Sequence, residues 1–221
     1  MTTFLSLVPR LLPYAPNCPQ PTALNAIRRG AIKACEKSLA WRYDIPVFDL
    51  TDFVPEYTYD VPADTEVHAV IAATLNGSPL EPMTLEDALR ANPQWAPVAA
   101  VPGDPVEQAG TPRYITQVHA NKYILIPTPN DGGPYSVRMF VALKPTRTAA
   151  DMNTVACNSL EECIIHAALE ELLVIPNVPW ADREGASYHA RQFSFKINEA
   201  RARANLGNAR ASMTVRPVPF R

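Results

Sequence analysis

Three polar residues in the last third of the chain have the types and spacing that metal binding or acid–base chemistry requires. Glu162, His166 and Glu170 follow one another at intervals of four, so on a helix they would stack on one face, with Cys163 beside them. Carboxylates and an imidazole so arranged could bind a metal ion or transfer protons. The surrounding segment is apolar, however, and a single polar stripe on such a helix is usually its exposed or interface side. We therefore predict an intersubunit contact at these three residues, with no metal site and no catalytic residue.

The four cysteines offer a second candidate chemistry. Cys18, Cys35, Cys157 and Cys163 are scattered along the chain and form no C-x-x-C pair, which disfavours both a zinc site and a disulfide framework. We expect reduced thiols that pack as small apolar side chains. One enzymatic alternative stays open, a hydrolase in which Cys35 or Cys157 works with His166.

Composition and motifs exclude several other functional classes. The chain has 221 residues, 47% of them apolar, a formal net charge of −2, and 8 glycines against 23 prolines. It contains no Rossmann fingerprint, phosphate loop, nucleophile elbow, H-E-x-x-H helix or EF-hand loop. Every apolar stretch is interrupted by charge or proline before it is long enough to span a bilayer. We predict a soluble, folded protein that is not an enzyme, binds no cofactor and has no membrane partner.

Three segments with helical periodicity must position these residues. Apolar side chains recur every three or four positions over residues 22–41, 159–175 and 182–205. Thr22 is expected to cap the first helix, and Ser159 with Glu162 forms the capping-box pattern for the second. The third segment has the spacing of a helix–helix packing seam, and Gly207 is expected to end it.

Between the first two helices the pattern changes to strands and turns. Asn76-Gly77 and residues 119–121 separate β-rich runs and are expected to form hairpin turns. A short helix is predicted over residues 83–91, followed by a proline-containing loop. The predicted strands span residues 47–50, 57–61, 67–75, 113–119, 122–126 and 135–143.

This order of elements predicts an α+β fold, a helical bundle with an inserted antiparallel β module and an extended C-terminal tail. The expected units are a Pro-rich N-terminal arm (1–21), the helical bundle (22–45 and 155–206), the β-rich insertion (46–154) and the tail (207–221). Trp41, Tyr43 and Trp180, like Trp95, lie at the ends of predicted elements, where aromatic rings cover a core edge or contact another subunit.

The C-terminal end is the most basic part of the chain. Residues 191–221 contain seven basic residues and one acid. Beyond residue 207 the segment is too short and too rich in proline to build its own core, yet apolar residues alternate along it. Such a tail either stays disordered or docks on another surface. It could dock there as an added strand of a sheet or as a segment bound in a groove.

Several stretches in order along the chain resemble the head-to-tail adaptor, or tail-completion ring, proteins of tailed bacteriophages, particularly short-tailed ones. The similarity covers about residues 22–216 and depends on the order and spacing of these stretches, none of which is catalytic. They are AIKACEKSLAWRY (31–43), YTYDVP (57–62), LNGSPL (75–80), GTPRY (110–114), LIPTP (125–129), VALKP (141–145) and the last helix with its basic tail.

The resemblance implies a structural role in the neck of the virion. Proteins of this group form a ring, typically dodecameric, that joins the capsid portal to a tail, nozzle or tail-tube protein and continues the DNA channel. By this resemblance the protein would be made in the host cytoplasm, would contact passing DNA without sequence specificity, and would bind the portal through its C-terminal extension. The residues expected to bind the portal are Arg210, Met213, Val215, Arg216, Val218, Phe220 and Arg221. A hydrolase, or a module that binds peptides through its β insert, is the alternative.

Overall fold

The computed structural model describes residues 1–51, 54, 56–91, 109–130 and 133–206. A short 3₁₀ helix (Phe4–Leu7) precedes five α-helices in this part of the chain. The helices are α1 (Val8–Leu11), α2 (Gln20–Ser38), α3 (Leu85–Ala91), α4 (Thr154–Leu173) and α5 (Arg183–Leu206). The strands are β1 (Thr2–Thr3), β2 (Arg42–Asp49), β3 (Glu56–Thr58), β4 (Thr65–Leu75), β5 (Ser78–Pro82), β6 (Ala109–Gly110), β7 (Tyr114–His119), β8 (Lys122–Ile126), β9 (Thr128–Pro129), β10 (Ser136–Pro145) and β11 (Asp151–Met152).

Seven of the strands form one sheet, in the order β2-β10-β4-β5-β7-β8-β3. Neighbouring strands are antiparallel except β5 and β7, which are parallel. The alternation in β10 buries Val137, Met139, Val141 and Leu143 on one face. Two small pairings, β1 with β11 and β6 with β9, lie outside this sheet.

The sheet curls until the turn between β7 and β8 meets the start of β4. The amide of Val67 donates to the carbonyl of Ala120 at 3.1 Å, and the side-chain amide of Gln117 donates to the carbonyl of Val67 at 2.8 Å. Inside the curl the rings of Tyr59 and Tyr123 are 4.6 Å apart and both residues are buried. The curled sheet therefore encloses apolar side chains on its concave side.

A layer of helices covers the same core. Helix α2 packs on β10 and α4, and α4 packs on α5. Gly30 sets the closest approach of α2 to α4, because a Cβ at this position would lie 2.7 Å from the carbonyl oxygen of Ile164. Ile164 is fully buried, as expected for the central member of the layer.

The prediction of a helical bundle with an inserted β module is wrong. The structure is a mixed α/β fold in which the seven-stranded sheet is a principal layer and the helices lie over it. Strand β10, next to the edge strand β2, pairs with β2 and β4, which are far away in sequence. Periodicity predicts which residues of a segment are buried but not which distant segment they face, so a helix that packs on a sheet and a helix that packs in a bundle have the same pattern.

Helix boundaries differ from the prediction for local reasons. Helix α2 ends at Ser38 because Leu39 adopts the left-handed conformation, with φ of 53°. Asn153 caps α4, since its side-chain oxygen accepts hydrogen bonds from the amides of Val155 and Ala156. The capping box predicted at Ser159 is therefore wrong, and Thr22 does not cap α2. The predicted hairpin turn at Asn76-Gly77 is confirmed, with φ of 49° and 82° at its two residues.

Residues before α2 contribute directly to the main core. Phe4, Leu7, Val8 and Leu11 are buried, and the pairing of β1 with β11 holds the start of the chain beside α4. Arg10 forms an ion pair with Glu161 on α4. The N-terminal segment is therefore packed against the helical layer.

Candidate interaction surfaces

The predicted polar stripe of α4 joins the three long helices to one another. Glu162 pairs with Lys196 on α5 at 2.7 Å, and Glu170 pairs with Lys33 on α2 at 2.7 Å. The hydrogen bond from Lys196 lowers the pKa of Glu162 below its usual value. Because these partners are in the same chain, both carboxylates already have an intramolecular role. A contact with a second subunit at this stripe stays a prediction.

His166, the third member of the stripe, meets a histidine that the sequence analysis did not select. Its Nδ1 lies 2.8 Å from Nδ1 of His189 on α5, so one ring donates its proton to the other. His189 is buried, and the edge of the Tyr14 ring lies against it with the centroids 5.5 Å apart. Burial lowers the pKa of both imidazoles, and the neighbouring His166 lowers that of His189 further. Position 189 lies beside the apolar seam of α5, which is the signal that could have identified it.

The cysteines are poor candidates for nucleophiles. All four thiols are free and buried. Burial raises the pKa of Cys35 to about 12 and that of Cys163 to about 11, and it also raises the pKa of Cys18 and Cys157. A cysteine nucleophile reacts as the thiolate, which these environments disfavour. Within the described residues, no three histidine, cysteine or acidic side chains come together as a metal site.

Two of the predicted interface aromatics line a groove at the end of α5. Trp41 and Tyr43 lie where α2 leads into β2, opposite Ala200 and Arg203 on α5, and the groove has a volume of about 440 Å³. The guanidinium of Arg42 donates to the side chain of Asn205 at 3.3 Å, which ties the last turn of α5 to the start of β2. Trp41 is only 6% exposed, so its ring mainly closes the core.

The remaining predicted residues divide into two groups. Trp180 lies between α4 and α5, half-buried against the core, so a subunit contact there stays a prediction. Trp95, Gly207 and the seven residues predicted to bind the portal lie outside the described residues. Leu206, the last described residue of α5, is 48% exposed. The described part of α5 therefore ends at an exposed residue.

Comparison with protein families gives a match over nearly the whole chain. The family model described as SU10 adaptor protein matches residues 2–218, nearly the whole chain. The chain belongs to the SU10 adaptor protein family. A sequence comparison with curated proteins gave no match.

Membership in the SU10 adaptor family confirms the resemblance on which the sequence analysis relied. The protein is a structural adaptor of a bacteriophage virion, so it interacts with other virion components. The match also includes residues 2–21, which lie outside the stretches that carry the resemblance. None of the helices in the described part of the adaptor combines the length and apolar character needed to span a bilayer.

Proposed function

We propose that this adaptor forms a ring in the neck of the virion, where it connects the capsid portal to the tail and surrounds the path of the DNA. Family membership over residues 2–218 is the observation that carries the proposal. The ring would be dodecameric, its other contact would be a tail, nozzle or tail-tube protein, and the DNA would pass without sequence-specific contact.

In this proposal the C-terminal tail binds the portal. The 15 residues from 207 to 221 can span about 50 Å when extended, far enough to reach a neighbouring protein. They contain Arg210, Arg216 and Arg221, which would pair with acidic groups on the portal, and their apolar residues would fill pockets there. Ordering such a segment costs about 1–2 kcal/mol per residue, which a large partner surface must offset.

Removal of the tail tests this proposal. A variant lacking residues 208–221 should keep the thermal midpoint of the full chain, because it retains all of α5, and should lose binding to purified portal in a pull-down. A matched variant with Arg210, Arg216 and Arg221 changed to Glu should also lose binding, whereas Arg183→Glu on α5 should not. Full portal binding by the truncated protein would contradict the role of the tail.

The ring itself needs a separate measurement. Mass photometry of the adaptor, alone and with portal particles, should detect a complex of many adaptor copies. A protein that stays monomeric under both conditions would not support the proposed ring.

A further inference from the structure

Helix α5 has a second seam, made of both apolar and polar residues, on the side opposite its buried one. Its buried residues include Ala186, Phe193, Ile197 and Ala200, which face α4 and α2. The opposite side has residues at intervals of four and three as well, which is the spacing expected of a surface that packs against another element. They are Glu184, Tyr188, Arg191, Phe195, Asn198, Ala202 and Leu206.

The outer seam of α5, defined by these seven residues, is open to solvent. Tyr188 is 51% exposed, Phe195 is 67% exposed and Leu206 is 48% exposed. Arg191 makes no ion pair with any described residue, and its guanidinium only reaches the carbonyl of Ser187 at 3.4 Å. A 24-residue helix with large apolar side chains along its solvent side has a face that its own fold leaves uncovered.

The second uncovered surface is the convex side of the sheet at β2 and β10. Phe140 is 39% exposed and Val47 is 61% exposed, and both project from the face opposite the buried Met139 and Val141. Asp44 pairs with Arg138 at 2.7 Å on the same face, whereas Asp49 has no ion-pair partner among the described residues. We call this the sheet patch; its residues are Asp44, Val47, Asp49, Ala72, Arg138 and Phe140.

The two surfaces belong to different layers of the molecule. Helix α2 packs on β10 from the concave side and also contacts α4 and α5, so it lies between them. A ring with rotational symmetry requires two different, complementary surfaces on each copy, because the same contact must repeat from one copy to the next. The outer seam and the sheet patch meet that requirement. Arg191 and Glu184 on the seam and Asp49 on the patch have no ion-pair partner among the described residues, so Arg191 is available to pair with Asp49 across the contact.

We infer that the outer seam of α5 in one copy packs on the sheet patch of the next copy. This inference rests on the proposed ring and identifies the surfaces that would form it. Phe195 and Tyr188 would contact Val47 and Phe140, and Arg191 would pair with Asp49. Neither surface includes the tail, so the contact is independent of portal binding.

Cysteine cross-linking tests the contact, because the four natural thiols are buried and leave little background. Phe195→Cys and Val47→Cys are prepared as separate proteins, assembled as a mixture and treated with a short bis-maleimide. Glu86→Cys, at an exposed position on α3 outside both surfaces, is the matched control. Thermal midpoints equal to that of the natural protein show that each variant is folded.

The mixture of the two variants should give a covalent dimer, each variant alone should give none, and the double variant should give a ladder of higher oligomers. Glu86→Cys should give no product with either variant. Self-cross-linking of Phe195→Cys would contradict the head-to-tail arrangement. If rings form but the mixture gives no covalent dimer, the inferred contact is wrong and the proposed ring is unaffected. If no ring forms, the inferred contact and the proposed ring are both wrong.

Discussion

The imidazole of His166 contacts that of His189 through their Nδ1 atoms, 2.8 Å apart across the interface of α4 and α5. At this distance one Nδ1 donates a hydrogen bond to the other while both rings are neutral, and protonating both rings would place two positive charges in contact. Charged and titratable groups around the pair are Glu162 on α4, Lys196 on α5 and Asp182 before α5, with Tyr14 and Tyr188 packed against His189. The stability of the helical layer therefore depends on the protonation of this pair.

We predict that the adaptor loses stability as the pH falls below the unfolded histidine pKa of 6.5. Burial lowers the pKa of both histidines in the folded state, so between the folded and unfolded pKa values the unfolded chain binds more protons. The free energy of unfolding is therefore highest above about pH 6.5 and decreases as the pH falls toward the folded pKa values. Thermal melts at pH values from 8 to 5 measure this decrease in stability. His166→Gln should flatten the dependence, while His119→Gln, at an exposed position, should leave it unchanged.

Replacing Gly30 should destabilise the contact between α2 and α4. In Gly30→Ala the new Cβ would lie 2.7 Å from the backbone oxygen of Ile164, so the helices must separate. Overpacking of this kind costs about 1–3 kcal/mol, although alanine favours a helix more than glycine does. Urea denaturation gives the change in the free energy of unfolding. Gln20→Ala, at the exposed start of α2, is the control, and an equal or higher stability of Gly30→Ala would contradict the packing described.

A charge at Ile164 should prevent folding. Ile164 is fully buried, and an unpaired carboxylate at such a position costs more than about 4 kcal/mol, a large part of a typical total stability of about 5–15 kcal/mol. Val155→Asp is the matched control, because Val155 is in the same helix and 78% exposed. Soluble yield and circular dichroism compare the two. A folded Ile164→Asp protein with an unchanged thermal midpoint would contradict the central position of α4.

The four thiols should be protected in the folded protein. A rise in the pKa of Cys35 from 9.0 to about 12 lowers its thiolate fraction about a thousandfold near neutral pH. Iodoacetamide at pH 8 should therefore label the native protein very slowly and label all four cysteines rapidly in urea. Fast labelling of one cysteine in the folded protein, detected by mass spectrometry, would contradict this prediction and favour the hydrolase alternative.

The positions of the long helices and the adaptor resemblance could be predicted from the sequence because both depend on patterns that lie along the chain. The spacing of apolar residues in α4 and α5, and the Asn76-Gly77 turn, arise from interactions between residues close in sequence. The sequence pattern does not single out the cap at Asn153, because Ser159 with Glu162, inside α4, also has the residue types of a helix N-terminus.

Tertiary structure alone decided what these elements pack against. The sheet forms because β10 pairs with β2 and β4, which precede it by dozens of residues, and no local pattern specifies such pairing. The same is true of the polar stripe: its spacing predicted a shared face, but only the packed helices show that Glu162 meets Lys196 and that His166 meets His189. Burial, ion pairing and the shift of a pKa are properties of groups brought together from distant parts of the chain, so they arise only when the chain folds.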